Sequence, residues 1–325
     1  MTDPRDCVVL VVTAPNDATA DLVVDALERR SVAVFRFDIA EFPQSLEIGV
    51  SLEERWRGYL QRGAHAVDLG QVGGIYYRRP GPFTLPETLT AAERRFAAAE
   101  ARYGFGGVLI SLPGPWVNHP SRISLAEYKP LQLQTAARSG LRTPRTLISN
   151  SAVHTAKFAA SLDGPMVYKP LSTGVVAEDG QVRLIYTTVV DSAALDEGPV
   201  ASTAHLFQEW IPKAHDVRLT AVGNRCFSVA IHADSAAAHT DWRADYDSLT
   251  YQAIDTPTDV QDGVRCYLDQ FGLMFGAFDF TVTPTGDWYF LECNPNGQWS
   301  WLEEITGLPV AGAIADALTG AGHNG

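Results

Sequence analysis

Three residues towards the C-terminal end of the chain have the types and spacing to hold a divalent cation: Asp279, Glu292 and Asn294. They lie in Phe275-Gly-Ala-Phe-Asp-Phe-Thr-Val-Thr-Pro-Thr-Gly-Asp-Trp-Tyr-Phe-Leu-Glu-Cys-Asn-Pro-Asn-Gly297, which reads as a β-hairpin. Two apolar, aromatic-rich runs flank the turn-forming cluster Pro284-Thr-Gly-Asp287. With the loop symmetric about Thr285-Gly286, Asp279 lies opposite Glu292 and Ala277 opposite Asn294. The other face then carries Phe278 with Cys293, Phe280 with Leu291, and Val282 with Tyr289, which is a core face. Directly opposed residues have Cβ atoms about 5 Å apart, and like charges there repel. A cation between the carboxylates removes the repulsion, and hard oxygen donors suit Mg²⁺. The competing reading is an exposed hairpin end whose charges are solvated separately.

The chain has 325 residues, enough for two or three compact units with ample core. Its apolar fraction, 46%, is that of an ordinary globular protein. No run of 18 apolar residues occurs, so no transmembrane helix and no membrane partner are expected. Met1-Thr-Asp-Pro-Arg-Asp6 lacks a basic region ahead of an apolar one, so no signal peptide is expected either. Cys7, Cys226, Cys266 and Cys293 are scattered and form no CxxC. That fits a reducing cytoplasm and no structural zinc. The 25 Lys and Arg against 38 Asp and Glu leave a formal charge of −13, which disfavours nucleic acid as a partner. An acidic substrate would have to be met by local basic residues.

The carboxylates need a scaffold, and the rest of the chain supplies its elements. Cys7-Val-Val-Leu-Val-Val12, a helix capped by Asn16-Asp17 and running to Arg30, and Val32-Ala-Val-Phe-Arg-Phe37 make a β-α-β start of a parallel, Rossmann-like sheet. Thr13-Ala-Pro-Asn16 offers no GxGxxG, so this unit looks like a nucleotide-domain scaffold without the nucleotide site. A hairpin is expected over 46–69, and a strand at 74–80 ends in Arg78 and Arg79, either solvated or facing an anion. A long helix is expected over 86–104, and the glycines and prolines of 104–120 mark a boundary.

Lys129-Pro130 opens a helix that stops at Gly140, placing Lys129 at its N-terminus. Strands at 144–148 and 165–170 follow, the second carrying Lys169 ahead of a small-residue loop, Leu171-Ser-Thr-Gly174, and a return strand at 182–187. Between the first two strands Asn150-Ser151 caps a helix to Leu162. Leu206-Phe-Gln-Glu-Trp-Ile211 reads as a linker strand, and Asp216 and Arg218 share one face of the meander that follows. The polar, aromatic stretch 241–251 reads as a loop over the site, 262–271 as a helix, and the segments from Trp299 and over 311–318 as helical. The class is α/β, turning α+β in the C-terminal part.

The order Lys129, Lys169, Gln208-Glu-Trp-Ile211, Asp216, Arg218, Asp279, Glu292, Asn294 resembles the ATP-grasp superfamily over about 120–320. A narrower resemblance covers nearly the whole chain. Tyr76-Tyr-Arg-Arg-Pro80, Trp116-Val-Asn-His-Pro120, Glu127-Tyr-Lys-Pro130, Pro144-Arg-Thr-Leu-Ile-Ser-Asn150, Asp241-Trp-Arg243 and Glu292-Cys-Asn-Pro-Asn-Gly-Gln-Trp299 look like the ATP-grasp ribosomal peptide maturases, the graspetide or microviridin-type macrocyclases. The D-alanine ligases usually carry an arginine two residues before the first metal carboxylate, where this chain has Ala277.

The resemblance implies an ATP-grasp fold preceded by a Rossmann-like pre-ATP-grasp domain: 1–119 for the latter, 120–206 for a central or lid subdomain, and 207–325 for the C-terminal subdomain with the Mg/ATP site. It implies an ADP-forming reaction with ATP and Mg²⁺. A side-chain carboxylate of a precursor peptide is phosphorylated, then attacked by a Ser/Thr hydroxyl or a Lys amine to give an ω-ester or ω-amide. The implied partner is an acidic precursor peptide whose leader segment docks on the ligase, and a homodimer is a further expectation. The implied roles are Mg²⁺ on Asp279, Glu292 and Asn294, phosphates on Lys129 and Lys169, and adenosine against Gln208, Glu209, Trp210, Ile211 and Asp216. Arg218 is expected at the transferring phosphoryl group and Arg243 at the acceptor carboxylate or acyl phosphate. No general base stands out, with His232 and His239 the histidines available. Two alternatives stay open: a small-molecule carboxylate–amine ligase, and a non-catalytic peptide-binding subunit.

Overall fold

The computed structural model describes residues 7–172, 174–178, 181–191, 195 and 197–320. Thr173 of the expected loop at 171–174, and the N-terminal run 1–6, lie outside the described residues. The β-α-β start forms as β1 (Val8–Thr13), α1 (Ala18–Glu28) and β2 (Ala33–Phe37), with the Asp17 carboxylate capping α1 through the Thr19 and Ala20 amides. Instead of one hairpin, three antiparallel strands follow: β3 (Leu46–Leu52), β4 (Trp56–Arg62) and β5 (His65–Asp68). Then come β6 (Val72–Arg78), α2 (Ala91–Glu100), α3 (Gly106–Ile110) and β7 (Trp116–Val117). The order β2-β1-β6-β7 makes an all-parallel sheet.

The long helix begins later than its sequence suggests, with Thr90 as cap, and passes through a π turn at Ala101–Phe105 into α3, past Gly104, Gly106 and Gly107. Glycine costs about 1 kcal/mol per helical residue. Burial of Ala101, Phe105, Val108 and Leu109 offsets that cost.

The central unit runs through α4 (Pro120–Ala126), a helix not expected from the sequence, and α5 (Lys129–Arg138). It continues with β8 (Thr146–Ser149), α6 (Ala152–Ala160), β9 (Met166–Lys169), β10 (Val175–Glu178) and β11 (Gln181–Leu184). It closes with β12 (Thr188–Val190), α7 (Glu197–Ala201) and β13 (His205–Glu209). Its antiparallel sheet has the order β12-β9-β13-β8, and β10-β11 stand apart as a hairpin. The boundary expected after 206 falls inside β13, which pairs wholly within this sheet.

The last unit comprises β14 (His215–Val222), β15 (Arg225–Ala233), α8 (Ala236–Thr240), β16 (Leu249–Ile254), α9 (Thr258–Phe271), β17 (Phe275–Val282), β18 (Trp288–Asn294), α10 (Ser300–Thr306) and α11 (Val310–Thr319). Its sheet is antiparallel in the order β16-β15-β14-β17-β18. The stretch expected as a loop at 241–251 makes two short 3₁₀ turns and then enters β16. One face of the sheet packs Phe278, Phe280 and Phe290 against Tyr267 and Phe271 of α9. A second core joins the two ends of the chain, with Val9, Val11 and Leu27 against Phe275, Ile314 and Leu318.

The β17–β18 hairpin keeps Asp279 opposite Glu292, Phe278 opposite Cys293 and Ala277 opposite Asn294. Nearer the turn the expected register is wrong by one: Phe280 faces Phe290 and Val282 faces Trp288. The loop closes between Thr283 and Asp287 around three residues, with Gly286 at φ 87°, so it is odd rather than even. A β-bulge between Asp279 and Phe280 takes up the difference. Phe290 therefore occupies the core position expected for Leu291, and Leu291 turns to the opposite face with Glu292.

Candidate active site

Antiparallel pairing puts Arg218 of β14, Asp279 of β17 and Glu292 of β18 in one row across the sheet. Arg218 Nε stands 2.8 Å from Asp279 Oδ1, and its guanidinium lies 5.5 Å over the Trp242 ring. Lys129, at the start of α5, sets Nζ 3.1 Å from Glu292 Oε2 and donates to the Pro170 carbonyl at 2.7 Å. Arg243 forks onto Asp241 at 2.9 and 3.0 Å and reaches Glu292 Oε1 at 3.6 Å. Burial and the Glu292 charge push the Asp279 carboxyl up, against the pull of Arg218. At Glu292 burial acts in the same direction, but Lys129 and Arg243 outweigh it and hold the carboxyl low.

These residues fit a hard cation. Asp279 Oδ1 is buried and, despite its short approach to Arg218, accepts no aligned hydrogen bond. Among the described residues no group of three or more His, Cys, Asp or Glu is placed to hold a metal; opposite Ala277, the side-chain oxygen nearest in sequence to Glu292 is that of the Asn294 amide. Its Oδ1 accepts from the Asn296 amide at 2.9 Å and keeps a second lone pair.

The row closes one side of a cavity of about 590 Å³ between the two antiparallel sheets. All the expected site residues line it except Arg218, which stands behind Asp279. Lys169, at the end of β9, is half-buried, and desolvation lowers its ammonium to about 8 although Glu292 opposes the shift. Val167, Leu206, Ile211 and Leu291 give the cavity apolar walls, Leu206 paired with Lys169 and Leu291 next to Glu292. Gln208 donates to Thr146 Oγ1 at 3.0 Å, leaving its own carbonyl buried and unpaired. The Glu209 carboxylate accepts from the Arg145 amide at 2.9 Å and so ties β13 to the start of β8. Asp216 is paired with Lys213, a cavity residue that the sequence reading left without a role.

Three buried polar side chains, Gln132 and Asn118, which carried no expected role, and Arg78, hold the hairpin in place. Gln132, one turn after Lys129, accepts from the Cys293 amide at 2.9 Å and donates to its carbonyl at 2.8 Å. It thereby pairs the free edge of β18 between Glu292 and Asn294. Asn118 accepts from the Met274 and Phe275 amides and donates to the Phe275 and Pro295 carbonyls. Arg78 is neither solvated nor an anion contact: at 1% exposure it joins Asp17 at 3.0 Å to the Gly297 carbonyl at 3.2 Å and to Gln298. Arg79 donates to the Asn296 carbonyl. Neither His232 nor His239 lines the cavity. Asn118 and Arg78 fall in runs already singled out by resemblance, whereas Gln132 carries no local signal.

The family model of the MvdD pre-ATP grasp domain matches residues 8–124. The macrocyclase MdnC of Microcystis aeruginosa MRC, solved bound with precursor peptide MdnA, is 30% identical over 96% of this chain and 99% of its own, with a TM-score of 0.82. The chain belongs to this family of ATP-grasp peptide ligases. Another ligase structure of the family is MdnB of the same organism, 29% identical over 96% of this chain and 99% of its own, with a TM-score of 0.78. A Chryseobacterium gregarium RiPP-associated ATP-grasp ligase, solved with ADP and a leader and core peptide, is 26% identical over 97% of both chains, with a TM-score of 0.89. Comparison with curated protein sequences returns no match.

Proposed function

We propose that this ATP-grasp ligase uses ATP and Mg²⁺ to activate Asp or Glu side chains of a ribosomally made precursor peptide and joins them to other side chains of the same peptide. The observation that carries the reading is the joint placement of Lys129, Lys169, Asp279, Glu292 and Asn294 around one cavity that also has apolar walls. The relatives agree: one is solved with a precursor peptide, another with ADP and a leader and core peptide. Gln208, Glu209, Trp210 and Ile211 present the linker to adenine, and Asp216, with Lys213, sits by the sugar. Lys129 and Lys169 meet phosphate oxygens. Asp279, Glu292 and Asn294 hold Mg²⁺, which when bound spreads positive charge over the phosphates.

The acceptor carboxylate oxygen attacks the terminal phosphorus and ADP leaves. The resulting acyl phosphate is attacked by a Ser/Thr hydroxyl or a Lys amine, phosphate leaves, and an ω-ester or ω-amide closes the ring. Arg243 orients the acceptor carboxylate. Arg218 fixes Asp279 from behind and adds charge where the phosphoryl group transfers. The precursor is acidic and carries a leader, the domains divide after 119 and after β13, and the ligase works in the cytoplasm as a homodimer. No helix among the described residues is long and apolar enough to cross a membrane.

Intact mass after incubation with ATP, Mg²⁺ and a candidate acidic precursor peptide tests the reading. Each ring closed removes one water, about 18 Da, and base hydrolysis sorts esters from amides. A peptide mass unchanged by ATP overturns peptide ligation and leaves a small-molecule ligase, identified by ADP release with amino acids.

A further inference from the structure

Arg243, its side chain 42% exposed and 3.6 Å from Glu292, is the guanidinium at the cavity that a peptide carboxylate can reach, Arg218 being buried behind Asp279. The surface on that side is aromatic. Buried Trp242 precedes Arg243 and carries the Arg218 guanidinium on its ring. Tyr246 packs edge-on against Trp242 with ring centres 5.7 Å apart, and Trp301 lies 6.0 Å from Trp242 on another side. Tyr251 meets Trp301 edge-on at 5.0 Å. Ile305 is one turn beyond Trp301 on the same face of α10. Tyr246 and Ile305 are 59% and 53% exposed. The Tyr246 hydroxyl lies within electrostatic reach of Arg243 and Arg218. Half-buried Trp301 and Tyr251 with exposed Tyr246 and Ile305, beside the Arg243 guanidinium, make the kind of patch that marks a recognition surface.

We propose that this aromatic face seats the peptide segment flanking the reacting carboxylate and takes an apolar or aromatic side chain of that segment, while Arg243 receives the acidic one. The proposal rests on the peptide-ligase reading and narrows its substrate to peptides with an apolar neighbour beside the activated Asp or Glu. Continuity argues for a peptide over a second copy of the chain. The face runs through Trp242 directly into Arg243, Arg218 and the cavity, and a second copy seated on it would block that approach.

Two synthetic peptides test the assignment, each with one Thr and one Asp, identical except for Phe or Gly beside the Asp. Their affinities are measured by calorimetry with ADP and Mg²⁺ present. The Phe peptide should bind roughly tenfold more tightly to the wild-type chain, as burial of one large apolar group implies. That advantage should vanish in Tyr246→Ala and shrink in Ile305→Ser, both exposed positions whose replacement leaves the core intact. Equal affinities, no binding of either peptide, or an advantage that survives both substitutions overturns the proposal. So does a dimer in light scattering that Tyr246→Ala splits, which would give the face to a second copy. Water loss from the natural precursor alongside equal peptide affinities sinks only this proposal. Absence of ATP-dependent mass loss sinks the ligase reading itself.

Discussion

Lys169 is the residue whose charge the site leaves most open. Burial lowers its ammonium from 10.5 to about 8, and the nearby Glu292 only partly restores it. A bound phosphate favours the charged form, so nucleotide affinity should be highest below pH 8 and fall as pH rises through that value. Near pH 8 binding should take up a fraction of a proton. Calorimetry of ADP binding in buffers of different ionisation heat measures this. Lys169→Arg, charged at any such pH, should abolish the buffer dependence, and buffer-independent heats in the wild type would contradict the assignment.

Gln132 works through another residue's backbone. Gln132→Leu keeps the bulk but leaves the buried amide and carbonyl of Cys293 unpaired, at about 1–3 kcal/mol each. Denaturant unfolding should show a loss of about 2–6 kcal/mol. Mg²⁺ should also improve nucleotide affinity less in this variant, because Glu292 and Asn294 flank the loosened link. Cys293→Ala keeps both hydrogen bonds and should change the Mg²⁺ dependence little. A Gln132→Leu variant as stable and as Mg²⁺-responsive as the wild type would remove Gln132 from the site.

Among the elements, the carboxylate hairpin combines an odd turn with a bulge. A regular strand turns alternate residues to one face, but the bulge lets consecutive Leu291 and Glu292 both face the cavity. Deleting Leu291 should restore a regular ladder with Phe290 still opposite Phe280 and Glu292 still opposite Asp279. The variant should fold, with near-native circular dichroism, and bind ADP roughly tenfold more weakly for want of one apolar wall. An unfolded product would mean that the bulge sets the register instead of decorating it. This hairpin also marks the limit of what the sequence discloses. Opposed Asp279 and Glu292 were legible because both strands alternate and the turn is Gly-Pro-rich. The parity of the loop was not legible, since a one-residue offset at the turn and a bulge beyond it cancel at the carboxylates. The helix through Gly104, Gly106 and Gly107 was hidden because Phe105, Val108 and Leu109 overrule local propensity. Lys129 and Lys169 could be placed from the order of motifs. Gln132 could not, because its partner is 161 residues away.

At the scale of the whole molecule, the N-terminal unit has no nucleotide turn of its own but builds the other unit's site. Its parallel sheet shares a core with α11 and the start of β17. A Cβ on Gly74 of β6 would meet the Leu318 carbonyl at 2.4 Å, so that helix lies hard against the sheet. A Cβ on Gly297 would come within 2.4 Å of the Ala277 Cβ, which is why the Asn-Pro-Asn-Gly loop can fold down onto β17 beneath Arg78. Asn118 fastens both ends of the hairpin at once, with four hydrogen bonds from a side chain 2% exposed. Two units tied this way should unfold together. Asn118→Leu, of similar volume, orphans two amides and two carbonyls and should cost at least about 4 kcal/mol. For a chain of this size that is a fall in Tm of about 6 °C or more. Calorimetry should give one transition before and after the change, and ADP affinity should weaken in the variant although Asn118 does not line the cavity. Two separated transitions in the wild type, or a variant that loses stability yet binds ADP with unaltered Mg²⁺ dependence, would mean that the first unit is a passive neighbour of the site.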